Sequence, residues 1–159
     1  MKSRKSLLAT YIKIIIVILL IAAGIYAVYR LAHKSYNEAE FETIKTDMLS
    51  IQVQTETVAQ KVEIKEKGAK YIGTKIDDKL EDEKVQNLIN NNIIDVESKK
   101  CNLYCLDYSI LEELGLSNIK VDSFYIVDYK QNEVIYVDGI QNSNGETVYK
   151  LSDMNKKEE

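Results

Sequence analysis

Hydrophobic residues near the N-terminus form one uninterrupted run, and further along the chain they become periodic. The run from Ile14 to Tyr29 contains no charged residue. A helix of about 20 apolar residues crosses the hydrocarbon core of a bilayer. Lys13 lies at the edge of the run, where its ammonium group can reach the lipid headgroups. The pattern therefore predicts a transmembrane helix at 11–32, preceded by a basic segment at 1–10.

The charges around this segment predict its orientation. Four basic residues precede or begin the span: Lys2, Arg4, Lys5 and Lys13. Arg30 and Lys34 follow the apolar run, and acidic residues come after them from Glu38 onward. Because basic residues are retained on the cytoplasmic side, we expect a cytoplasmic N-terminus and an extracytoplasmic C-terminal domain.

Two other interpretations of the apolar run remain. A cleaved signal peptide shares the basic start, and Ala22-Ala23-Gly24 is a candidate cleavage site. The run continues past that site to Tyr29, which favours a retained membrane span. A buried helix of a soluble domain is seldom apolar on all sides over such a length.

From residue 33 to 67 the chain is polar with one periodic apolar stripe. Its members recur at spacings of three and four, as on one face of a helix. This stripe, called the seam below, consists of Phe41, Ile44, Met48, Ile51, Val58 and Val62, with Thr55 at the missing position. The pattern predicts an amphipathic extension of the membrane helix. The seam could pack against the protein's own C-terminal domain or against a partner helix, and the small number of heptads favours the first interpretation.

The pattern over residues 68–153 predicts a small extracytoplasmic α+β domain, which begins with short helices and a strand. A helix is expected over Asp77–Asn92, with acidic residues at its start, where the helix dipole favours them. A strand is expected over Asn102–Leu106. Asp107 can then cap a further short helix, which stops at Gly115.

The second half of this domain has the alternating pattern of strands. Two segments rich in β-branched and aromatic residues, 123–129 and 133–138, are separated by three turn residues and predict a hairpin. A third strand is expected at 146–151, and a disordered tail at 154–159. The predicted fold class is therefore α+β, with a long N-terminal helix packed on an antiparallel sheet of three or four strands.

Composition and charge exclude several classes of function. The net charge of -4 disfavours a nucleic-acid partner, which normally requires a basic surface. The single histidine, His33, lies at the membrane edge, so the outer domain cannot hold a Ser-His-Asp or Cys-His catalytic site. The loop Asp138–Glu146 matches a calcium-binding pattern only in part, because Ile140 occupies the first ligand position. We therefore predict no catalytic, cofactor or metal site.

The two cysteines, Cys101 and Cys105, are separated by three residues. On one strand their Cα atoms would lie ~13 Å apart, too far for a disulfide. An irregular turn could bring them together, and an extracytoplasmic location permits oxidation. The sequence leaves this disulfide open.

The order of parts resembles that of type IV pilins and type II secretion pseudopilins. The matching segments are the basic stretch Lys2–Lys5, the apolar run Ile14–Tyr29, the amphipathic extension Glu42–Gln52 and the C-terminal strands. The resemblance implies a long helix whose outer half is covered by a small sheet, in the bacterial cell envelope. Ser6–Lys13 lacks the Gly and the Glu of the family's processing motif, so no site residue is carried over.

Together, these features predict a non-catalytic, single-pass, pilin-like membrane protein. We expect it to be a component of a secretion or pilus-type apparatus. Its expected partners are membrane lipid and a protein that binds through the seam or the sheet. The alternative is a membrane-anchored ectodomain that binds a ligand or a protein and is unrelated to pili.

Overall fold

The computed structural model describes residues 2–97, 101–119 and 123–156, and it places side chains outside 2–14 and 33–34. The predictions made for the side chains of Lys13 and His33, and for residues 157–159 of the tail, lie outside this description. Two units make up the structure, Met1–Ala39 and Glu40–Glu159.

The first helix, α1, spans Lys2–Glu63. No proline interrupts it, and Gly24 is its single glycine. The helix ends four residues before the predicted boundary at 67. Lys65 adopts a left-handed conformation, and the N–H of Glu66 donates to the carbonyl of Lys61. This hydrogen bond closes a Schellman motif, a helix end that usually places glycine at the left-handed position.

The second unit contains a five-stranded antiparallel sheet in the order β1-β2-β3-β4-β5. Its strands are β1 Thr74–Lys75, β2 Leu103–Leu106, β3 Tyr125–Asp128, β4 Glu133–Gln141 and β5 Thr147–Lys150. The α+β class is therefore confirmed, with one strand more than expected. The strand β1 was missed because it has two residues, too few to show an alternating pattern.

The sheet is covered on both faces, and each face has its own core cluster. Tyr104 and Leu106 of β2 point into one cluster, whereas Leu103 and Cys105 point into the other. This alternation follows from the two-residue period of a strand. The seam of α1 packs in the first cluster. The second cluster is covered by helix α2, Glu83–Asn90, through Val85 and Leu88.

The helix predicted over Asp77–Asn92 is divided in the structure. A 3-10 helix occupies Ile76–Lys79, and α2 begins only after Asp82. Asp82 caps α2, because its Oδ1 atom accepts the N–H of Lys84 at 2.9 Å. The run of acidic residues concealed this break, since any of them could have served as the cap.

Two further short helices flank the strands. The helix α3, Tyr108–Glu113, is capped by Asp107 and followed by Gly115 in a left-handed conformation, as predicted. The helix α4, Leu151–Met154, was not predicted. The disordered tail predicted at 154–159 therefore begins too early, because Met154, the last residue of α4, is buried in the core. The polar residues that follow Met154 concealed this contact in the sequence.

Candidate functional site

The apolar segment of α1 presents its side chains outward. Each side chain from residue 15 to 32 is exposed in the structure. Within the described residues, α1 is the one helix both long enough and apolar enough to cross a membrane, and none of its most apolar window is buried. A signal sequence has the same properties. This segment is the candidate membrane-binding site.

The seam of α1 packs against the protein's own sheet. Met48 and Ile51 are fully buried in the first core cluster, and Phe41, Ile44 and Val58 pack against it while partly buried. This confirms the first of the two interpretations for these five side chains. Val62 is half-buried near the helix end.

Thr55 occupies the one polar position of the seam, and its hydroxyl donor is paired. Its side chain is 1% exposed, and its hydroxyl donates to the carbonyl of Ile51 at 2.8 Å. A threonine hydroxyl bonded in this way leaves its methyl group to pack in the core. Thr55 therefore continues the buried stripe despite its polarity.

Two polar side chains of α1 also bind backbone carbonyls of the outer domain. Lys45 Nζ donates to the carbonyl of Met154 at 3.1 Å, at the end of α4. Gln52 Nε2 donates to the carbonyl of Asn132 at 2.7 Å, in the turn before β4. Both residues were missed in the sequence, where they read as ordinary solvated positions. They join α1 to the end of α4 and to the turn before β4.

A buried hydroxyl lies in the first core cluster with no hydrogen-bond partner among the described residues. It belongs to Tyr125, whose side chain is fully buried and whose ring lies 5.2 Å from that of Tyr136. Burial and the negative charge of Asp47 both raise the pKa of Tyr125. Burial also raises the pKa of Asp47.

The two cysteines occupy different environments. Cys105 is buried in β2, where burial raises its pKa to about 12. Cys101 lies two residues before β2 and is half-buried, and its Sγ accepts a hydrogen bond from Gln131 Nε2 at 3.3 Å. No disulfide joins the two in this structure. Cys101 lies outside β2, although it packs against the second core cluster, to which Cys105 belongs.

The loop before β5 uses its side chains to form a turn. Asn142 Oδ1 accepts the N–H groups of Asn144 and Glu146, each at 3.0 Å. The N–H of Asn142 donates to the carbonyl of Glu146 at 2.9 Å. The bond from Asn144 to Asn142 Oδ1 is that of an Asx turn, and the backbone bond closes the loop between β4 and β5. Asn142 thus acts as a turn residue.

Comparison of the chain with protein-family models, curated proteins and solved structures finds no match.

Proposed function

We propose that this chain is a single-pass, pilin-like protein of the bacterial cell envelope, with its N-terminus in the cytoplasm and its α+β domain outside. It acts by binding other envelope proteins, as a component of a secretion or pilus-type apparatus. The observation that carries the proposal is the exposed apolar segment at 15–32. A hydrocarbon environment removes the cost of hydrating such a surface.

The composition of the core also supports an anchor role for the apolar segment. Both core clusters draw on residues from Phe41 onward. The side chains at 15–32 contribute to neither cluster, although they are the most apolar in the chain. A helix that is hydrophobic on all sides and not part of a core is typical of a membrane span.

Topology can be tested with single cysteines and a membrane-impermeant maleimide. In a background with both native thiols replaced by alanine, Ser117→Cys reports on the domain and Ser3→Cys on the N-terminus. We expect Ser117→Cys to be labelled in intact spheroplasts, and Ser3→Cys only after the membrane is opened. Recovery of the protein in a carbonate-washed soluble fraction, or the reverse labelling pattern, would contradict the proposal.

The pilin-like part of the proposal is tested by the intact mass of the native protein and by its crosslinked partners. A full-length mass together with crosslinks to secretion or pilus components is the expected result. Loss of about two dozen residues would identify a signal peptide and remove the anchor. A full-length anchor without such partners would favour the unrelated ectodomain.

A further inference from the structure

The turn between β4 and β5 contains a chemically reactive pair of residues, Asn144 and Gly145. Asn144 is the one asparagine of the chain that precedes a glycine. Both residues are exposed, and Gly145 has a left-handed conformation with φ +82. A Cβ atom at Gly145 would have no neighbour within 4 Å among the described residues, apart from the adjacent ones. The amide nitrogen of Gly145 can therefore be approached by the side chain of Asn144 without steric hindrance.

A single hydrogen bond of the turn restrains this nitrogen. The N–H of Gly145 donates to the carbonyl of Asn142 at 3.0 Å, which closes a four-residue β-turn. Asn142 is half-buried and Gly145 is exposed, so the bond lies at the surface of the domain. Such a bond can open by local motion of the turn, while the rest of the domain stays folded.

The chain has a related pair in β4, Asp138 and Gly139, whose surroundings are different. Asp138 Oδ1 forms an ion pair with Lys84 Nζ at 2.6 Å. A Cβ atom at Gly139 would lie 2.6 Å from Cγ2 of Thr147, so β5 encloses this glycine. The negative charge of a carboxylate also repels an attacking nucleophile, whereas the side-chain amide of Asn144 is neutral. The structure therefore favours reaction at Asn144.

The chemistry open to this pair is cyclisation of the side chain onto the backbone, which makes asparagine a labile residue. The amide nitrogen of Gly145 loses its proton and attacks Cγ of Asn144, so a new N–Cγ bond forms. The Cγ–Nδ2 bond breaks, and Nδ2 leaves as ammonia with that proton. Water then opens the five-membered imide. Opening at Cγ gives aspartate, and opening at the main-chain carbonyl gives isoaspartate, in which the backbone runs through Cγ.

We propose that Asn144 is a site of spontaneous modification, at which the folded chain forms aspartate and isoaspartate and the attachment of β5 is weakened. The modification goes beyond the proposed function and is independent of it, because the reaction needs neither a membrane nor a partner.

The weakening of β5 follows from the hydrogen bonds that surround residue 144. The N–H of Asn142 donates to the carbonyl of Glu146 at 2.9 Å, and Asn142 Oδ1 accepts the N–H groups of Asn144 and Glu146. Isoaspartate inserts a further carbon atom into the main chain between residues 144 and 145. The turn is then too long to keep all of these bonds at their present lengths.

The strand β5 is sensitive to this change because it lies at the edge of the sheet. Within the described residues it pairs with β4 alone. The length of a hairpin loop sets the register of the two strands it joins. A longer turn therefore acts directly on the pairing of Thr147 with Gln141, the first pair after the loop.

Incubation of the full chain in detergent micelles tests the site, under conditions in which circular dichroism shows that the chain stays folded. Ion-exchange chromatography should reveal acidic species that accumulate with time. They should form several-fold faster in mildly alkaline buffer, because the attacking nitrogen must lose its proton. Peptide mapping by mass spectrometry should locate aspartate and isoaspartate at residue 144. A chain that gains no acidic species, or gains them at another asparagine, would overturn the proposal.

Two matched variants check the assignment. Asn144→Gln keeps a side-chain amide but requires a six-membered ring, which forms far more slowly, and it should abolish the acidic species. Asn118→Gln makes the same change at another exposed turn, where Ile119 follows, and should leave their formation unchanged. Acidic species that persist in Asn144→Gln would arise at another residue and would contradict the assignment.

A third variant, Asn144→Asp, separates the new charge from the longer backbone. Amide hydrogen exchange over Thr147–Lys150 is compared among the fresh chain, Asn144→Asp and the isoaspartate form isolated by chromatography. We expect exchange in β5 to be several-fold faster in the isoaspartate form than in the other two. Equal exchange in all three would show that the turn accommodates the added atom, and would overturn the weakening of β5.

Discussion

The hydroxyl of Tyr129 forms two hydrogen bonds with the backbone of Ile72. It donates to the carbonyl of Ile72 at 2.8 Å and accepts the N–H of the same residue at 3.3 Å. These bonds tie the segment before β1 to the end of β3. The ring of Tyr129 also packs against Tyr71 and Tyr104, at centroid distances of 4.7 and 5.3 Å. The hydroxyl of Tyr125, by contrast, is buried without a partner among the described residues.

Replacing each tyrosine with phenylalanine should therefore have opposite effects. Tyr129→Phe leaves two backbone groups of Ile72 without their partner and should lower the free energy of unfolding by about 1–2 kcal/mol. Tyr125→Phe removes an unpaired buried hydroxyl and should be neutral or stabilising. Urea unfolding of the full chain in detergent, followed by circular dichroism, measures both. Equal losses in the two variants would contradict this assignment.

Two residues of α1, Ile51 and Val53, test which side of the helix faces the sheet. Ile51 is fully buried in the first core cluster, whereas Val53 is 61% exposed. Ile51→Ala should cost roughly 2–5 kcal/mol through lost burial and the cavity it leaves. Val53→Ala should change the free energy of unfolding by less than ~0.5 kcal/mol. The same urea titration compares them, and a larger cost for Val53→Ala would mean that the helix is rotated.

Asp128 organises the turn between β3 and β4. Its side chain is 3% exposed, and its Oδ1 accepts the N–H groups of Asn102, Lys130 and Gln131 at 2.9, 2.9 and 3.3 Å. Asp128→Ala leaves these donors unpaired and should cost about 3 kcal/mol. Asp128→Asn keeps an acceptor oxygen in place and should cost about 1 kcal/mol, since a neutral acceptor forms weaker bonds. Unfolding midpoints rank the variants, and equal costs would show that the oxygen is not the important group.

The periodic parts of the sequence predicted their structure correctly. The seam, the hairpin strands and the cap at Asp107 each have a local signature, which depends on residue spacing or on one capping side chain. In the same way, the burial of Ile51 was predicted from its position in the spacing of the seam alone. Such patterns can be predicted because helix and strand geometry decides which residues share a face, and the spacing of apolar residues along the sequence follows that geometry.

The features that the sequence did not predict depend on contacts between distant segments. The strand β1 exists because Thr74 and Lys75 pair with Cys105 and Tyr104. Gly73, just before it, has φ +121, and a Cβ atom there would lie 2.9 Å from the carbonyl oxygen of Cys105. The contact of Lys45 with Met154 joins residues 109 positions apart.

The two thiols should differ in reactivity because only one of them is fully buried. Cys105 is 3% exposed with a pKa of about 12, so it is almost entirely protonated near neutral pH. Since the thiolate is the reacting species, iodoacetamide at about pH 8 should label Cys101 in the folded chain and Cys105 only after unfolding. Intact mass counts the added groups, and Cys101→Ala should abolish the fast label. A chain that labels at neither residue before reduction would instead contain the disulfide that the sequence left open.

The raised pKa values also predict the effect of alkaline pH on stability. The ordinary pKa of the Cys105 thiol is 9.0 and that of the Tyr129 hydroxyl is 10.0, and burial raises each to about 12. Below these ordinary values both groups are protonated in the folded and the unfolded chain, so their titration does not change the free energy of unfolding. As pH rises above about 9, the unfolded chain loses protons that the folded chain retains, and the free energy of unfolding falls. Urea midpoints should therefore be constant from about pH 7 to 8 and decline from about 9 towards 12. A midpoint that stays constant across the alkaline range would show that these two groups are solvated in the folded protein.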